Sequence, residues 1–127
     1  MNTKGCNHMK IIAVFLSLVS MAGSCAAYDV PPMPEAAKEI GCPNCHAIDH
    51  KVVGPAWMDV SKRYRDMRDS PMVFNALVKK VSNGGSGNWG DVPMIGNDPA
   101  SIRHKKIEEL VVFVLSLSDL LPENSHK

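Results

Sequence analysis

Between residues 34 and 118 the apolar positions recur every three or four residues, interrupted by stretches rich in glycine and proline. That period is the signature of helices with one buried face. Residues 34–40 (PEAAKEI) predict a short helix with Pro34 in its first turn and Gly41 as its stop. Residues 56–67 predict a second, with Trp57, Val60, Tyr64 and Met67 near one face. Pro71 opens a third that carries Val73, Leu77, Val78 and Val81, and the NGGSGNWG run from Asn83 ends it. Asp98 and Pro99 supply a cap and a first-turn residue for a fourth, in which Ile107, Leu110, Val111, Val114 and Leu115 repeat at helical spacing. The β-branched residues of that last segment are also compatible with a strand. No stretch of residues 28–127 alternates cleanly with period two, so the expected fold is all-α, with about four short helices.

The N-terminal segment has a different pattern. Lys4 and Lys10 precede a mostly apolar run, Ile11 to Ala22, which gives way to Gly23, Ser24, Cys25, Ala26 and Ala27. A basic start, an apolar centre and a small-residue exit describe a secretory signal peptide. The run is shorter than the roughly 20 residues that cross a bilayer. Residues 1–27 are therefore expected to be cleaved, after Ala27 or Ala26, with export to the periplasm and no stable membrane insertion. A lipid-anchored form built on Cys25 is the weaker alternative, because Ala22 stands where a larger aliphatic residue is expected. The domain proper is read as residues 28–121, followed by a polar tail, 122–127.

Charge narrows the function classes. The whole chain has 14 basic and 13 acidic residues. The leader takes two of the basic ones, so the remainder sits at −1, without the basic excess of a nucleic-acid binder. Roughly 100 residues make one small domain, a size at which a polypeptide core is marginal.

Cleavage would also remove Cys6 and Cys25, leaving Cys42 and Cys45 in the stretch GCPNCHAID. Two cysteines cannot build a disulfide framework, nor a Cys₄ zinc site without a second ligand pair. A redox dithiol of the thioredoxin type needs alternating strands and helices around it, which the pattern lacks. Covalent haem attachment remains: both thiols add to the haem vinyl groups, and His46 directly after them is placed to reach the iron. A haem would also supply the interior that so short a chain lacks.

An iron held on one side by His46 either keeps an open position, suited to an enzyme or a ligand sensor, or takes a second ligand. Met58 and Met67 fall in the second predicted helix and Met72 opens the third, where methionine is usually flexible core filler. Met94 follows Pro93 in the helix-free stretch NWGDVPMIGND, after a glycine-rich turn, and is the candidate sixth ligand. His104 is the rival, but it lies among Arg103, Lys105 and Lys106.

The stretches GCPNCHAIDHKVVGPAW (41–57), NGGSGNWGDVPM (83–94) and VVFVLSL (111–117) resemble the small class I bacterial cytochromes c of the five-fifty-one type. The resemblance spans about residues 34 to 118. It implies helices wrapped around one covalent haem c, thioether bonds from Cys42 and Cys45, and His46 and Met94 as the two iron ligands. It further implies that the Pro55 carbonyl accepts the ring N–H of His46, that Trp89 donates to a propionate, that Lys80 pairs with a propionate, and that Asn97 lies near the ligand sulfur. The function it implies is that of a monomeric, diffusible, non-enzymatic electron carrier. Its transient partners would be a cytochrome bc1-type donor and an oxidase, nitrite reductase or peroxidase acceptor, docking at the exposed haem edge, where Pro43, Val52, Val53, Val92 and Ile95 offer apolar surface. Three departures from the family pattern stand out: Ala37 in place of a first-helix aromatic, an apparent three-residue insertion in RYRDMRDSP, and a longer tail beyond Ser118. The basic residues Lys62, Arg63, Arg65 and Arg68 read as an ordinary solvated face, or else as a docking patch for an acidic partner.

Overall fold

The computed structural model describes residues 28–98 and 100–121. The expected leader, Pro99 and the tail 122–127 lie outside the described residues. Four α-helices follow in order: α1 (Glu35–Glu39), α2 (Trp57–Tyr64), α3 (Pro71–Asn83) and α4 (His104–Ser116). Short 3₁₀ turns at Cys42–Asn44, Arg65–Met67 and Leu117–Leu120 extend or link them. Among the described residues there is no strand, only isolated bridges pairing His46 with Lys51 and Gly85 with Met94.

Helix ends follow from local chemistry. Pro34 caps α1, and Gly41, at a φ of 83°, turns the chain out of it. The first backbone donors of α2 are satisfied from outside the helix: Trp57 N–H bonds Ala47 O and Met58 N–H bonds Ile48 O, at 3.0 and 2.9 Å. Thus the segment after His46 is stitched to the start of α2. Helix α3 begins at Pro71 and stops at Gly84.

Helix α4 packs against α1, α2 and α3. One side of it joins Leu110 to Ala37, Ile48, Trp57, Met58 and Leu117. The other joins Ile107, Val111 and Leu115 to Val78 of α3. Ala37 is fully buried. Met33 and Ile40 pack around its cluster, while Phe113 meets the edge of Trp57, with ring centroids 6.1 Å apart and planes at 71°. With Ala37 in place of a first-helix aromatic, the aromatic partner of Phe113 in α4 is Trp57 of α2.

Two boundaries differ from the sequence expectation. The second helix tightens into a 3₁₀ turn after Tyr64, and Met67 is 50% exposed there. The fourth helix starts at His104, because Asp98 caps a turn ahead of it: its carboxylate accepts the N–H groups of Ile102 and Arg103 at 2.7 and 2.9 Å.

Arg65 and Arg68 are also not a free solvated face. Arg65 donates to the backbone carbonyls of Ser118 and Leu121, and Arg68 pairs with Asp119. The inserted segment and the chain beyond Ser118 are therefore clasped together. Under this clasp, the fully buried Ser61 donates to Leu115 O at 2.9 Å and accepts from Ser118 N–H at 2.7 Å. Ser61→Ala is expected to cost about 1–3 kcal/mol, because it leaves a buried N–H without its acceptor. The urea midpoint should fall with an unchanged slope; an unshifted midpoint refutes the assignment.

On the outside, Lys106 of α4 bonds Glu39 at the end of α1 and holds that carboxyl below its ordinary range. A depressed folded-state pKa contributes stability above the unfolded value and loses it as the pH falls through the folded one. The group is exposed, so the contribution is small and salt-sensitive.

Candidate functional site

The 3₁₀ turn at Cys42–Asn44 bends the chain so that Cys45 and His46 N–H groups both bond Cys42 O, at 3.1 and 2.9 Å. Both thiols are half-buried and not joined to each other. Burial pushes the Cys42 thiol above its ordinary value, partly offset by a backbone hydrogen bond. Thiol–disulfide exchange needs a thiolate, the form that this burial disfavours at Cys42. Nor does any group of three His, Cys, Asp or Glu side chains poised for a metal ion occur among the described residues.

The chain after His46 doubles back. Val53 and Gly54 N–H groups bond Cys45 O at 3.2 and 2.8 Å, which brings the carbonyl of Pro55 to the imidazole. His46 Nδ1–H donates to Pro55 O at 2.8 Å. A carbonyl only accepts, so the proton sits on Nδ1 and the Nε2 lone pair is left available for a metal. Gly54 lies against the Cε1 end of the ring, between its two nitrogens: a Cβ there would stand 2.4 Å from His46 Cε1 and 2.9 Å from Nδ1 and Nε2. No side chain fits at that position without moving the imidazole. The sequence reading did not single out Gly54; its only signal there is a glycine just before a proline.

The glycine-rich stretch brings the other wall. Gly84 and Gly96 let the loop close on the end of α3, and a Cβ on Gly84 would lie 2.3 Å from Met94 O. Gly85 and Met94 exchange backbone hydrogen bonds at 2.9 and 3.0 Å. Asn97 then anchors the loop: its backbone N–H donates to Val81 O at 3.0 Å, and its Nδ2 donates to Val81 O and Ile95 O, each at 3.2 Å. Asp98 N–H bonds Ser82 O. The last carbonyls of α3, which have no partner within the helix, are thus used to hold the loop. Trp89 is 37% exposed, and the Arg63 guanidinium lies over its ring.

Cys42, Cys45, His46, Lys80, Trp89 and Met94 all line one cavity of about 410 Å³, together with Pro55 and Asn97. Most of its wall is apolar, from Ile40, Val60, Leu77, Leu110, Val111 and Val114. Met58, by contrast, is buried in the core cluster, Met72 is 78% exposed, and neither they nor Met67 line the cavity. His104 also lies away from it, exposed at the start of α4 and 3.3 Å from Glu108. A flat apolar ring with two vinyl groups, an iron and two propionates matches this donor set: two free thiols, an imidazole with its Nε2 available, a thioether, an indole N–H and an ammonium around an apolar interior. The residues fit a haem.

Relatives agree. The chain is 34% identical over 104 residues to cytochrome c-552 of Hydrogenobacter thermophilus, covering 82% of this chain and 95% of that protein. It is 41% identical over 81 residues to cytochrome c-551 of Allochromatium vinosum, covering 64% of this chain and 81% of that one. The crystal structure of Nitrosomonas europaea cytochrome c552 superposes with a TM-score of 0.56 at 34% identity, covering 65% of this chain and 95% of that one. No family model matches. The chain belongs to the small class I monohaem cytochromes c, the c-551/c-552 group, and its prosthetic group is one haem c bound covalently through Cys42 and Cys45.

Proposed function

We propose that this member of an electron-carrier family works in the periplasm as a diffusible single-electron shuttle, with His46 and Met94 as the two iron ligands and no catalytic turnover of its own. The observation that carries this reading is the meeting of His46 and Met94 on one apolar cavity, from which the other described methionines beyond His46 are excluded. Haem c supplies an iron that accepts and returns one electron while its ligands stay attached. The chain's own part is to hold those ligands still. Pro55 and Gly54 fix the imidazole, and the Gly85–Met94 pair and Asn97 fix the backbone that carries the thioether. A soft thioether and a dry pocket both favour the ferrous state. Trp89 N–H, a donor only, and the Lys80 ammonium are proposed to serve the propionates.

Docking is proposed at the edge where Val52, Val53, Val92 and Ile95 are exposed, the last two by 65 and 76%. Weak electron-transfer encounters need only a small patch. A bc1-type donor and an oxidase, nitrite reductase or peroxidase acceptor are the proposed partners, met by a monomer. No helix among the described residues is long and apolar enough to cross a membrane.

The test is the spectrum of the reduced protein with and without carbon monoxide. An unchanged spectrum is expected; a carbon monoxide shift shows an open iron and favours the enzyme or sensor alternative. The proposed export has its own check. N-terminal sequencing of the periplasmic product should begin at Ala27 or Tyr28 with domain 28–121 intact, and a lipid-bearing product that retains Cys25 defeats it.

A further inference from the structure

Arg63 lies in the last turn of α2, and its guanidinium carbon stands 4.8 Å from the centroid of the Trp89 ring. Its Nη1 also donates to Asn88 O at 2.8 Å. The two contacts grip consecutive residues at the tip of the loop that ends at Met94. That tip has little else to hold it. Gly87 N–H bonds Gly90 O at 3.0 Å, but both glycines have positive φ, 95° and 113°, and no neighbour lies within 4 Å of where their Cβ atoms would be. Trp89 lines the cavity and Arg63 does not, so the guanidinium meets the indole from outside. Arg63 itself stands on a firm base, because Ser61, Arg65 and Arg68 around it are all bonded to the C-terminal turn.

We propose that Arg63 is a positioning residue for Trp89, holding the indole at the mouth of the haem cavity from its outer side. The planar guanidinium can stack on the ring and donate to the neighbouring carbonyl at once, which a lysine ammonium cannot do in the same geometry. The effect on potential rests on the reading of Trp89 as a haem-edge residue. The positioning itself is read on the loop.

The test uses the reduced, haem-loaded protein and three readouts: the indole N–H resonance of Trp89, hydrogen exchange at the Gly87 and Trp89 amides, and the midpoint potential. Arg63→Gln is expected to shift the indole resonance and to speed loop exchange by roughly two- to fivefold, the range that an exposed cation–π contact supports. It should also lower the potential, since a cation that opposes the oxidised charge is lost. Arg63→Lys should recover the potential while the loop still exchanges faster than in the wild type. Lys62→Gln, which removes an equal charge from the adjacent position, should leave the indole and the loop unchanged. The proposal is overturned if Arg63→Gln leaves both loop readouts at wild-type values, if Lys62→Gln reproduces its effects, or if Arg63→Lys matches the wild type in the loop. The two loop readouts do not report on the bond between the iron and Met94, so the Met94 assignment and this one stand or fall separately.

Discussion

Replacing Met94 with alanine is expected to open the iron to carbon monoxide, abolish the weak far-red iron–sulfur band and lower the potential steeply. The reason is positional. Met94 lines the cavity, and its backbone is locked by reciprocal hydrogen bonds to Gly85, so its loop has no ready substitute to offer. Met94→His should keep the iron closed to carbon monoxide but still lower the potential, because imidazole stabilises ferric iron better than a thioether does. Met58→Leu and Met67→Leu should leave band and potential nearly unchanged, since volume-conserving swaps usually cost under about 1.5 kcal/mol. Retention of the band in Met94→Ala, with carbon monoxide still excluded, would mean that another residue closes the iron.

The second large effect concerns attachment. Acid–organic extraction should leave haem on the wild-type polypeptide and remove it from the Cys42→Ala/Cys45→Ala double variant. That variant should also lose most of its helical circular dichroism at 25 °C. Ile40, Val60, Leu77, Leu110 and Val114 line the cavity, and without the group they surround they lose the packing on that side, while Ile40, Leu77, Leu110 and Val114 keep their contacts in the core clusters. A domain of this size has little core to spare. Haem extracted quantitatively from the wild type sinks the assignment.

Parts of this architecture were legible in the sequence because they are local. Pro71 and the glycine run after Asn83 mark the ends of α3, and the helical repeat from Ile107 to Leu115 marks the buried sides of α4. The Cys42-x-x-Cys45-His46 spacing carries its chemistry in five residues. What stayed hidden depends on partners distant in sequence. Nothing in the sequence near Phe113 shows that Trp57 is its aromatic partner. Asp98 looks like a helix cap, and only the turn through Ser101, at a φ of 56°, moves the helix start to His104. Arg65 and Arg68 looked like part of a solvated face because side-chain bonds across more than 50 residues leave no periodic trace.

Those arginines bear on how such a protein can be recombined. The insertion in RYRDMRDSP and the extension past Ser118 look in the sequence like two unrelated departures from the family pattern, yet Arg65 and Arg68 join them into one unit. A chimaera that takes the 63–69 segment from a shorter relative while keeping this C-terminus loses donors to the Ser118 and Leu121 carbonyls and leaves Asp119 without its partner. The reciprocal graft leaves the guanidinium groups without those acceptors. The two segments are therefore expected to be inherited, and exchanged between homologues, as a pair.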